Sequence, residues 1–459
     1  MSLAAVLDYI DADQPHALER LFALLRIESV STDPAYAAGC REAADWLVRE
    51  LAEIGFEAAR HDTPGHPMVV AQGGEGGPHL LLYGHYDVQP VDPLELWHRP
   101  PFDPALIDAP HGQVITARGA CDDKGQLMTW LEALRAWKAV TGALPGRITV
   151  LVEGEEESGS PSLVPFLEAK AAELRADLAL VCDTGMWDRE TPAITTMLRG
   201  MAGVQITVHG ANRDLHSGLY GGPAANPIRV LARLLAGLHD ADGRVTLPGF
   251  YDGVPVLSDE MKAQWEGLGF DAGAFLGAVG LSEPAGEAGV PALEQIWARP
   301  TCEINGIWGG YTGEGFKTVL PAEAHAKLTF RLVGDQDPQA ILAALEAQIR
   351  AGLPADCRAE FLYKTPSKAI VLPSDSPQYA AARAALTAEW PKPAVFVGSG
   401  GSIPVVGYFK RLLGMDSLMI GFGQDDDAVH SPNEKYDLAS FHKGARSWAR
   451  VLAALYGKG

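Results

Sequence analysis

Two residues that follow a short apolar run, His85 and Asp87, have the types and the spacing of a metal-binding pair. The run at residues 80–82 lies between Pro78 and Gly84 and predicts a buried strand. Residues two apart on an extended chain point to the same side, and open α/β sheets bind ligands at the carboxyl ends of their strands. The pattern predicts a metal-binding imidazole with a carboxylate behind it that orients the ring. The alternative is a hydrogen-bonded His–Asp pair that holds no ligand.

More acidic and histidine residues occur at the ends of other predicted elements. They are Asp122 and Asp123, Glu155 to Glu157, Asp183, and His430 in the acidic stretch 425–434. Imidazole and carboxylate groups without thiolates suit zinc or manganese in a catalytic site rather than a structural one. Two histidines and several carboxylates are enough for two metals that share one acid. Taken singly, each loop also fits an ordinary solvated acidic turn.

The elements that must position these residues alternate between strands and helices. The apolar pattern predicts helices at 15–26, 38–54, 124–140, 223–238, 338–350, 376–390 and from 437. It predicts strands at 68–70, 80–82, 148–152, 178–181, 204–209, 324–333, 359–363 and 418–421. Residues 89–110 are predicted to form a loop, and residues 249–300 carry no clear pattern.

This order predicts an α/β protein with a mixed, mostly parallel sheet and helices on both faces. The predicted first domain comprises residues 1–197 and 371–459, and an α+β domain, residues 198–370, is inserted in it. The strand at 204–209 is predicted to be a sheet edge, and the helix at 223–238 to carry an apolar stripe.

Length, charge and cysteine use narrow the class of protein. A chain of 459 residues predicts two domains, and a formal net charge of −21 argues against partners such as nucleic acid or an anionic membrane. No apolar run is long enough to span a bilayer. The five cysteines have no paired spacing, and the N-terminus resembles neither a signal peptide nor a transit peptide. These features predict a cytoplasmic protein without a disulfide framework.

The motifs, taken in their order along the chain, resemble those of the two-metal aminopeptidase, carboxypeptidase and aminoacylase superfamily. They are Gly84-His85-Tyr86-Asp87-Val88, Arg118-Gly119-Ala120-Cys121-Asp122-Asp123-Lys124-Gly125, Glu153-Gly154-Glu155-Glu156-Glu157-Ser158-Gly159-Ser160, Cys182-Asp183 and His430-Ser431-Pro432-Asn433-Glu434. The Gly-Gly-Ser-Ile-Pro run at 400–404 makes the carnosinase-like cytosolic nonspecific dipeptidases the most similar branch. The resemblance spans essentially the whole chain. It implies a zinc-exopeptidase-like catalytic domain with an inserted lid and dimerisation domain.

The resemblance also implies a ligand set for two divalent metal ions in each subunit. His85 and Asp183 would bind one ion, Glu157 and His430 would bind the other, and Asp122 would bridge them. Zn²⁺ is the favoured ion, with Mn²⁺ or Co²⁺ as alternatives.

The resemblance implies roles for two more carboxylates, Asp87 and Glu156. Asp87 would orient His85, and Glu156 would be the general base for a water that bridges the two metals. The acidic loop has three consecutive glutamates where the family usually shows two. We set the register by Ser158-Gly159-Ser160, which makes Glu156 and Glu157 the functional pair. A register shift of one residue would instead assign a functional role to Glu155.

Four residues outside the metal set are implied to act on substrate. His216, in Asp214-Leu215-His216-Ser217-Gly218, would reach the active site of a partner subunit. Thr318 and Arg331 lie in segments that resemble substrate-contacting parts of the lid, and Arg331 can pair bidentately with a terminal carboxylate. Ser402 would contact the substrate backbone. Without the family, His216 is an ordinary surface histidine and Arg331 an arginine in an ion pair.

The resemblance implies a metal-dependent hydrolase that cleaves dipeptides or short peptides with a free C-terminal carboxylate. The alternative within the superfamily is an N-acyl-amino-acid deacylase of the acetylornithine deacetylase or succinyl-diaminopimelate desuccinylase type. A different class of alternative is a non-catalytic protein that kept the fold and the metals. The implied partners are a small peptide substrate and a second copy of the chain, bound through the lid by the 223–238 helix and the 204–209 strand.

Overall fold

A computed structural model describes residues 2–401 and 403–458 of the chain. The strands, in chain order, are β1 (Glu57–His61), β2 (Met68–Gly73), β3 (Leu80–His85), β4 (Ala105–Ala109), β5 (Gly112–Thr116), β6 (Ile148–Glu153), β7 (Leu178–Val181), β8 (Ala193–Leu198), β9 (Gly200–His209), β10 (Leu215–His216), β11 (Thr301–Gly309), β12 (Val319–Leu320), β13 (Glu323–Leu332), β14 (Arg358–Ser367), β15 (Ile370–Val371), β16 (Val395–Ser399), β17 (Ser417–Ile420) and β18 (Lys435–Asp437).

The helices, in chain order, are α1 (Leu3–Leu25), α2 (Ala37–Ile54), α3 (Lys124–Thr141), α4 (Leu163–Ala169), α5 (Ala171–Leu174), α6 (Ser217–Tyr220), α7 (Pro227–Ala236), α8 (Asp259–Gly267), α9 (Ala272–Gly277), α10 (Ala292–Trp297), α11 (Pro338–Ala351), α12 (Pro377–Thr387), α13 (Pro404–Tyr408) and α14 (Leu438–Leu455). Glycine ends two of them: Gly55 after α2 and Gly142 after α3 have φ of 105° and 79°, a left-handed conformation that costs other residues more.

The chain forms two compact units. The first comprises the residues up to Thr196, Leu372–Val397 and the residues from Tyr408 onward, and the second comprises Met197–Val371 and Gly398–Gly407. We expected residues 371–459, which include the glycine-rich run at 398–404, in the first domain, but Gly398–Gly407 groups with the second unit. One reason is that the backbone N–H of Arg199 donates to the carbonyl oxygen of Gly401 over 3.1 Å.

The first unit contains a sheet with strand order β1-β2-β6-β3-β7-β17-β8. The pairs β6–β3, β3–β7 and β7–β17 are parallel and lie at the centre, while the outer pairs are antiparallel. Every residue of β3, β6, β7 and β17 is buried, as parallel strands covered on both faces require. The prediction of an α/β fold with a mixed sheet is confirmed, with its parallel part in the middle.

The second unit contains an antiparallel sheet with strand order β11-β13-β9-β14. Its core joins Ile206 and Phe330 of the sheet to Leu231 of α7 and Leu345 of α11. Burying one face of a sheet against two helices gives this unit a hydrophobic core of its own.

Three sequence-based expectations differ from the structure. The strand at 204–209 is not a sheet edge, because β9 pairs with both β13 and β14. Part of the expected loop at 89–110 is β4, which forms a hairpin with β5. The apolar stripe of α7 is mostly buried within its own unit; Ile228, at 36% exposure, is the exception.

Among the described residues, no helix combines the length and the apolar character needed to cross a membrane. The cytoplasmic location stays a prediction.

Candidate metal centre

Five side chains from separate segments of the first unit meet at one edge of its sheet. His85 is the last residue of β3, Asp183 follows β7, and Glu157 lies in a turn after β6. Asp122 precedes α3, and His430 comes from the segment between β17 and β18. Because β3, β6 and β7 are parallel neighbours, their carboxyl ends deliver side chains to the same place.

The ligand-type atoms form two overlapping groups. His85, Asp122 and Asp183 make one group, Asp122, Glu157 and His430 make the other, and within each group the atoms lie within 4.8 Å of one another. Asp122 belongs to both: its Oδ1 is 3.1 Å from Nε2 of His85, and its Oδ2 is 2.8 Å from Nε2 of His430. A carboxylate that offers one oxygen to each group has the geometry of a bridging ligand.

The donor set fits divalent metal ions. Imidazole nitrogen and carboxylate oxygen suit zinc and manganese. Oε1 of Glu157 is a buried acceptor with no hydrogen-bond partner among the described residues, which a cation would satisfy. His430 is 53% exposed, so its group is open to solvent, whereas His85 is fully buried.

Asp87 contacts Nδ1 of His85 and so orients its ring. Its backbone carbonyl oxygen is 3.1 Å, and its carboxylate 3.4 Å, from Nδ1 of His85. The same carboxylate accepts hydrogen bonds from the backbone N–H groups of Glu156 and Glu157, at 3.2 and 3.0 Å. Asp87 therefore ties the end of β3 to the acidic loop and leaves Nε2 of His85 facing the cluster.

The three glutamates of the acidic loop have different surroundings. Glu155 accepts hydrogen bonds from the backbone N–H groups of His66 and Ser162, at 3.0 and 3.1 Å, and so has a local structural role. Glu157 lies 3.2 Å from His430. Glu156 is in neither ligand group; burial, and then the charge of Glu157, raise its pKa to about 7, while His85 opposes the rise.

The charges of the cluster depend on one another. Burial disfavours a charged His85, but Asp122 and Asp87 outweigh burial and raise its pKa well above the usual value. Hydrogen bonds to Asp122 and Glu157 raise the pKa of His430 to about 10. Burial, and then the charge of Asp122, raise the pKa of Asp183. In the absence of a metal, the surrounding carboxylates thus favour the protonated form of both imidazoles.

Sequence reasoning gave no role to Glu434, which joins two of the ligand-bearing segments. Its fully buried carboxylate accepts four hydrogen bonds: from Nη1 of Arg118 and from the backbone N–H groups of Gly119, Cys121 and Asp122, all at 2.9 to 3.0 Å. Burial raises its pKa, whereas Arg118 and the backbone N–H groups oppose that rise. The signal available in the sequence was a glutamate four residues after a candidate histidine ligand.

Asp123 was singled out in the sequence but left without a role. It is fully buried, and its Oδ2 accepts a hydrogen bond from the backbone N–H of His85 over 3.1 Å. Asp123 therefore fixes the backbone of the first histidine, as Asp87 fixes its ring.

Three of the four substrate-binding candidates, His216, Thr318 and Arg331, lie in the second unit. His216 pairs with Val319 where β10 meets β12, and Thr318 directly precedes β12. Both His216 and Thr318 are exposed, and Nδ1 of His216 accepts a hydrogen bond from the backbone N–H of Gly218. Arg331 is half-buried on β13, and its guanidinium has no ion-pair partner among residues 2–401 and 403–458. Ser402 lies outside the described residues.

The sequence matches Peptidase family M20/M25/M40 over residues 81–454. Curated relatives include the Cys-Gly metallodipeptidase dug1 of Schizosaccharomyces pombe, 30% identical over 99% of this chain and 98% of the relative. The human Beta-Ala-His dipeptidase is 27% identical over 97% of this chain and 91% of the relative. Among solved structures, the M20 family metallo-carboxypeptidase Sso-CP2 from Sulfolobus solfataricus is similar with a TM-score of 0.81, 30% identity, and coverage of 96% of this chain and 99% of that chain.

Proposed function

The chain belongs to Peptidase family M20/M25/M40, and from this membership and the site geometry we propose that it is a metal-dependent dipeptidase. The observation that carries the proposal is Asp122, whose two oxygens serve two groups of ligand-type side chains while Glu156 lies outside both. A shared carboxylate with a separate free carboxylate is the arrangement that two-metal hydrolysis needs.

We propose that His85, Asp122 and Asp183 hold one divalent ion and that Asp122, Glu157 and His430 hold a second. Zn²⁺ is our favoured ion, with Mn²⁺ and Co²⁺ as alternatives, because all three accept imidazole and carboxylate ligands. When bound, such ions polarise the scissile carbonyl and lower the pKa of water.

Glu156 is the proposed general base and general acid. Its carboxylate takes a proton from the attacking water, whose oxygen adds to the scissile carbonyl carbon. When the carbon–nitrogen bond breaks, the same group gives that proton to the leaving nitrogen. A pKa of about 7, raised by burial, suits a group that must accept and release a proton near neutral pH.

The proposed substrate is a small peptide with a free C-terminal carboxylate. The guanidinium of Arg331 forms no ion pair with the described residues and can bind that carboxylate bidentately. Thr318 and Ser402 are proposed to contact the substrate backbone, and His216 to stabilise the charge that develops on the carbonyl oxygen. The names of the curated relatives specify dipeptides, which supports this substrate class over the N-acyl amino acids of a deacylase.

In the decisive experiment, the purified protein with added Zn²⁺ or Mn²⁺ is incubated with mixed dipeptides, with N-acetyl amino acids and with N-succinyl amino acids. Release of free amine is measured before and after a chelator. We expect hydrolysis of the dipeptides that the chelator stops and added metal restores. Hydrolysis of the acyl amino acids alone would establish the deacylase function instead, and no turnover of any substrate would leave a protein that only binds metal.

We propose a homodimer formed by the second unit. The surface expected from the sequence is largely unavailable, since β9 is internal and α7 is mostly buried. The edge strand β11 exposes Ile307 and Trp308 instead, at 53% and 41%, and Phe316 on the following loop is fully exposed. An apolar edge strand can pair with a second copy of itself in a two-fold dimer.

Mixing two inactive variants tests both the dimer and the role of His216 across it. After subunit exchange, the variants His216→Ala and Glu156→Gln should recover part of the wild-type activity, because one site of each hybrid has both residues intact. The unmixed variants at the same total concentration are the control. A mixture that stays inactive despite measured exchange would show that His216 does not act across an interface.

A further inference from the structure

The second unit has an open cavity of about 1110 Å³ that is lined in part by three arginines, Arg199, Arg299 and Arg331. Arg299 is neutralised by Glu287, whose Oε1 is 3.0 Å from its Nη2. No described acidic side chain lies within 4.0 Å of the guanidinium nitrogens of Arg199 or Arg331, so neither forms an ion pair with the described residues. Glu303, which also lines the cavity, acts on Arg199 only through its charge.

Arg199 is held in place by carbonyl oxygens rather than by an acid. It lies between β8 and β9, and its Nε donates to the carbonyl oxygen of Gly400 over 3.0 Å. Its backbone N–H binds Gly401, and its Nη1 reaches the carbonyl oxygen of Gln295 at 3.5 Å. These contacts hold the side chain through Nε and Nη1 without neutralising its charge, and Nη2 forms no hydrogen bond within the described part of the chain.

The two free arginines influence each other. Burial, and then the charge of Arg331, lower the pKa of Arg199 to about 10, while Glu303 opposes the shift. Arg199 is still cationic at neutral pH. Two like charges that are partly withdrawn from water destabilise each other, and an anion placed between them would relieve that repulsion.

We propose that Arg199 and Arg331 form a subsite for a dicarboxylate, so that the preferred substrates are dipeptides with an acidic C-terminal residue. Arg331 binds the terminal carboxylate through its planar fork, and Arg199 binds the side-chain carboxylate through Nη2. This inference rests on the proposed dipeptidase function and adds the substrate preference.

The test compares Ala-Glu with Ala-Gln, which differ by one charge at nearly equal shape. In the wild type we expect kcat/KM for Ala-Glu to exceed that for Ala-Gln by roughly tenfold, as one additional charge-assisted hydrogen bond allows. Arg199→Gln should abolish this ratio through a higher KM for Ala-Glu, with kcat little changed. Arg229→Gln, at an exposed position of α7, is the matched control and should keep the wild-type ratio.

A second variant tests the same charges without disturbing the Gly400 contact. Glu303 is exposed and lies near Arg199, so Glu303→Gln should strengthen the preference for Ala-Glu. Equal kcat/KM values for the two dipeptides in the wild type, or a preference that neither variant changes, would overturn the subsite.

A separate test of this inference measures, by calorimetry, the affinity of the metal-loaded protein for L-glutamate and for L-glutamine. Its result does not depend on whether the protein is a dipeptidase. We expect tighter binding of glutamate, lost in Arg199→Gln. If no dipeptide is hydrolysed but glutamate binds through Arg199, the dipeptidase proposal fails and the subsite stands. If dipeptides are hydrolysed and the two amino acids bind equally, the subsite alone fails.

Discussion

Replacing Glu434 by glutamine tests whether one buried carboxylate organises the segments that carry Asp122 and His430. Each oxygen of Glu434 accepts two hydrogen bonds, one pair from Arg118 and Gly119 and the other from Cys121 and Asp122. A glutamine keeps the shape but turns one oxygen into a donor. Two N–H groups then face an NH₂ group, and the buried guanidinium of Arg118 loses its counter-charge.

The expected decrease in the free energy of unfolding follows from the contacts that are lost. Removing one partner of a buried ion pair costs about 3–5 kcal/mol, because the remaining charge stays buried and uncompensated. We therefore expect Glu434→Gln to lower the free energy of unfolding of the first unit by about 3–5 kcal/mol.

The assay is urea unfolding of the metal-free protein, with hydrogen exchange of the peptide that contains residues 118–122 as a local reporter. Exchange there should be faster by roughly two to three and a half powers of ten. The control is Asp416→Asn, which removes an exposed pair with Lys410 (2.6 Å) and should cost less than about 1 kcal/mol. A loss below about 1 kcal/mol in Glu434→Gln would refute the reasoning, and would indicate that burial already keeps Glu434 protonated.

Three further predictions concern catalysis, protons and the second unit. Glu156→Gln should keep metal and fold but lose nearly all turnover in an amine-release assay, because an amide cannot accept the proton; if Glu155→Gln is the inactive variant instead, the register of the acidic loop is wrong by one. In the metal-free protein the pKa of His430 is raised from 6.5 to about 10, so the stability it contributes is fully present below about pH 6.5 and is lost as the pH rises through about 10. Denaturation of wild type and His430→Gln should show that the difference between their free energies of unfolding becomes smaller as the pH rises across that range. Binding of Zn²⁺ at pH 8 should release protons, which calorimetry in buffers of different ionisation enthalpy measures. Phe330→Ala should destabilise the second unit by about 3–5 kcal/mol in urea unfolding, because the ring is fully buried and leaves a cavity; a loss below about 1 kcal/mol would show that the core closes around the gap.

The strands with strong local signals were predictable from the sequence. Residues 80–82 and 148–152 are apolar runs, and both form central strands of the sheet. The strand at 105–109 was missed because its residues are half-buried or exposed and follow no clear alternation. The place of β9 inside its sheet depends on β13 and β14, which follow it by more than a hundred residues, so no local pattern could show that it is not an edge.

The ligand-type residues of the candidate site were predictable from the sequence, and the residues that position them were less so. His85, Asp122 and Asp183 stand out because they are ligand-type side chains at or next to the ends of predicted strands or helices. Glu434 does not, since its hydrogen-bond partners are 312 to 316 residues away in the sequence. Arg199 has an ordinary sequence context, and only the folded second unit shows that its guanidinium is held by the carbonyl oxygen of Gly400 rather than by an acid.

The position of β17 between β7 and β8 affects how the chain can fold while it is being translated. Residues up to Thr196 leave the ribosome with β3, β6 and β7 complete, but β7 has no neighbour on one side until Ser417–Ile420 has been made. Throughout synthesis of the second unit, the nascent chain therefore carries an unpaired and wholly apolar strand edge, which is a template for pairing with other chains. Premature termination anywhere in the second unit would release a polypeptide with that edge open, and such fragments should aggregate or require a chaperone.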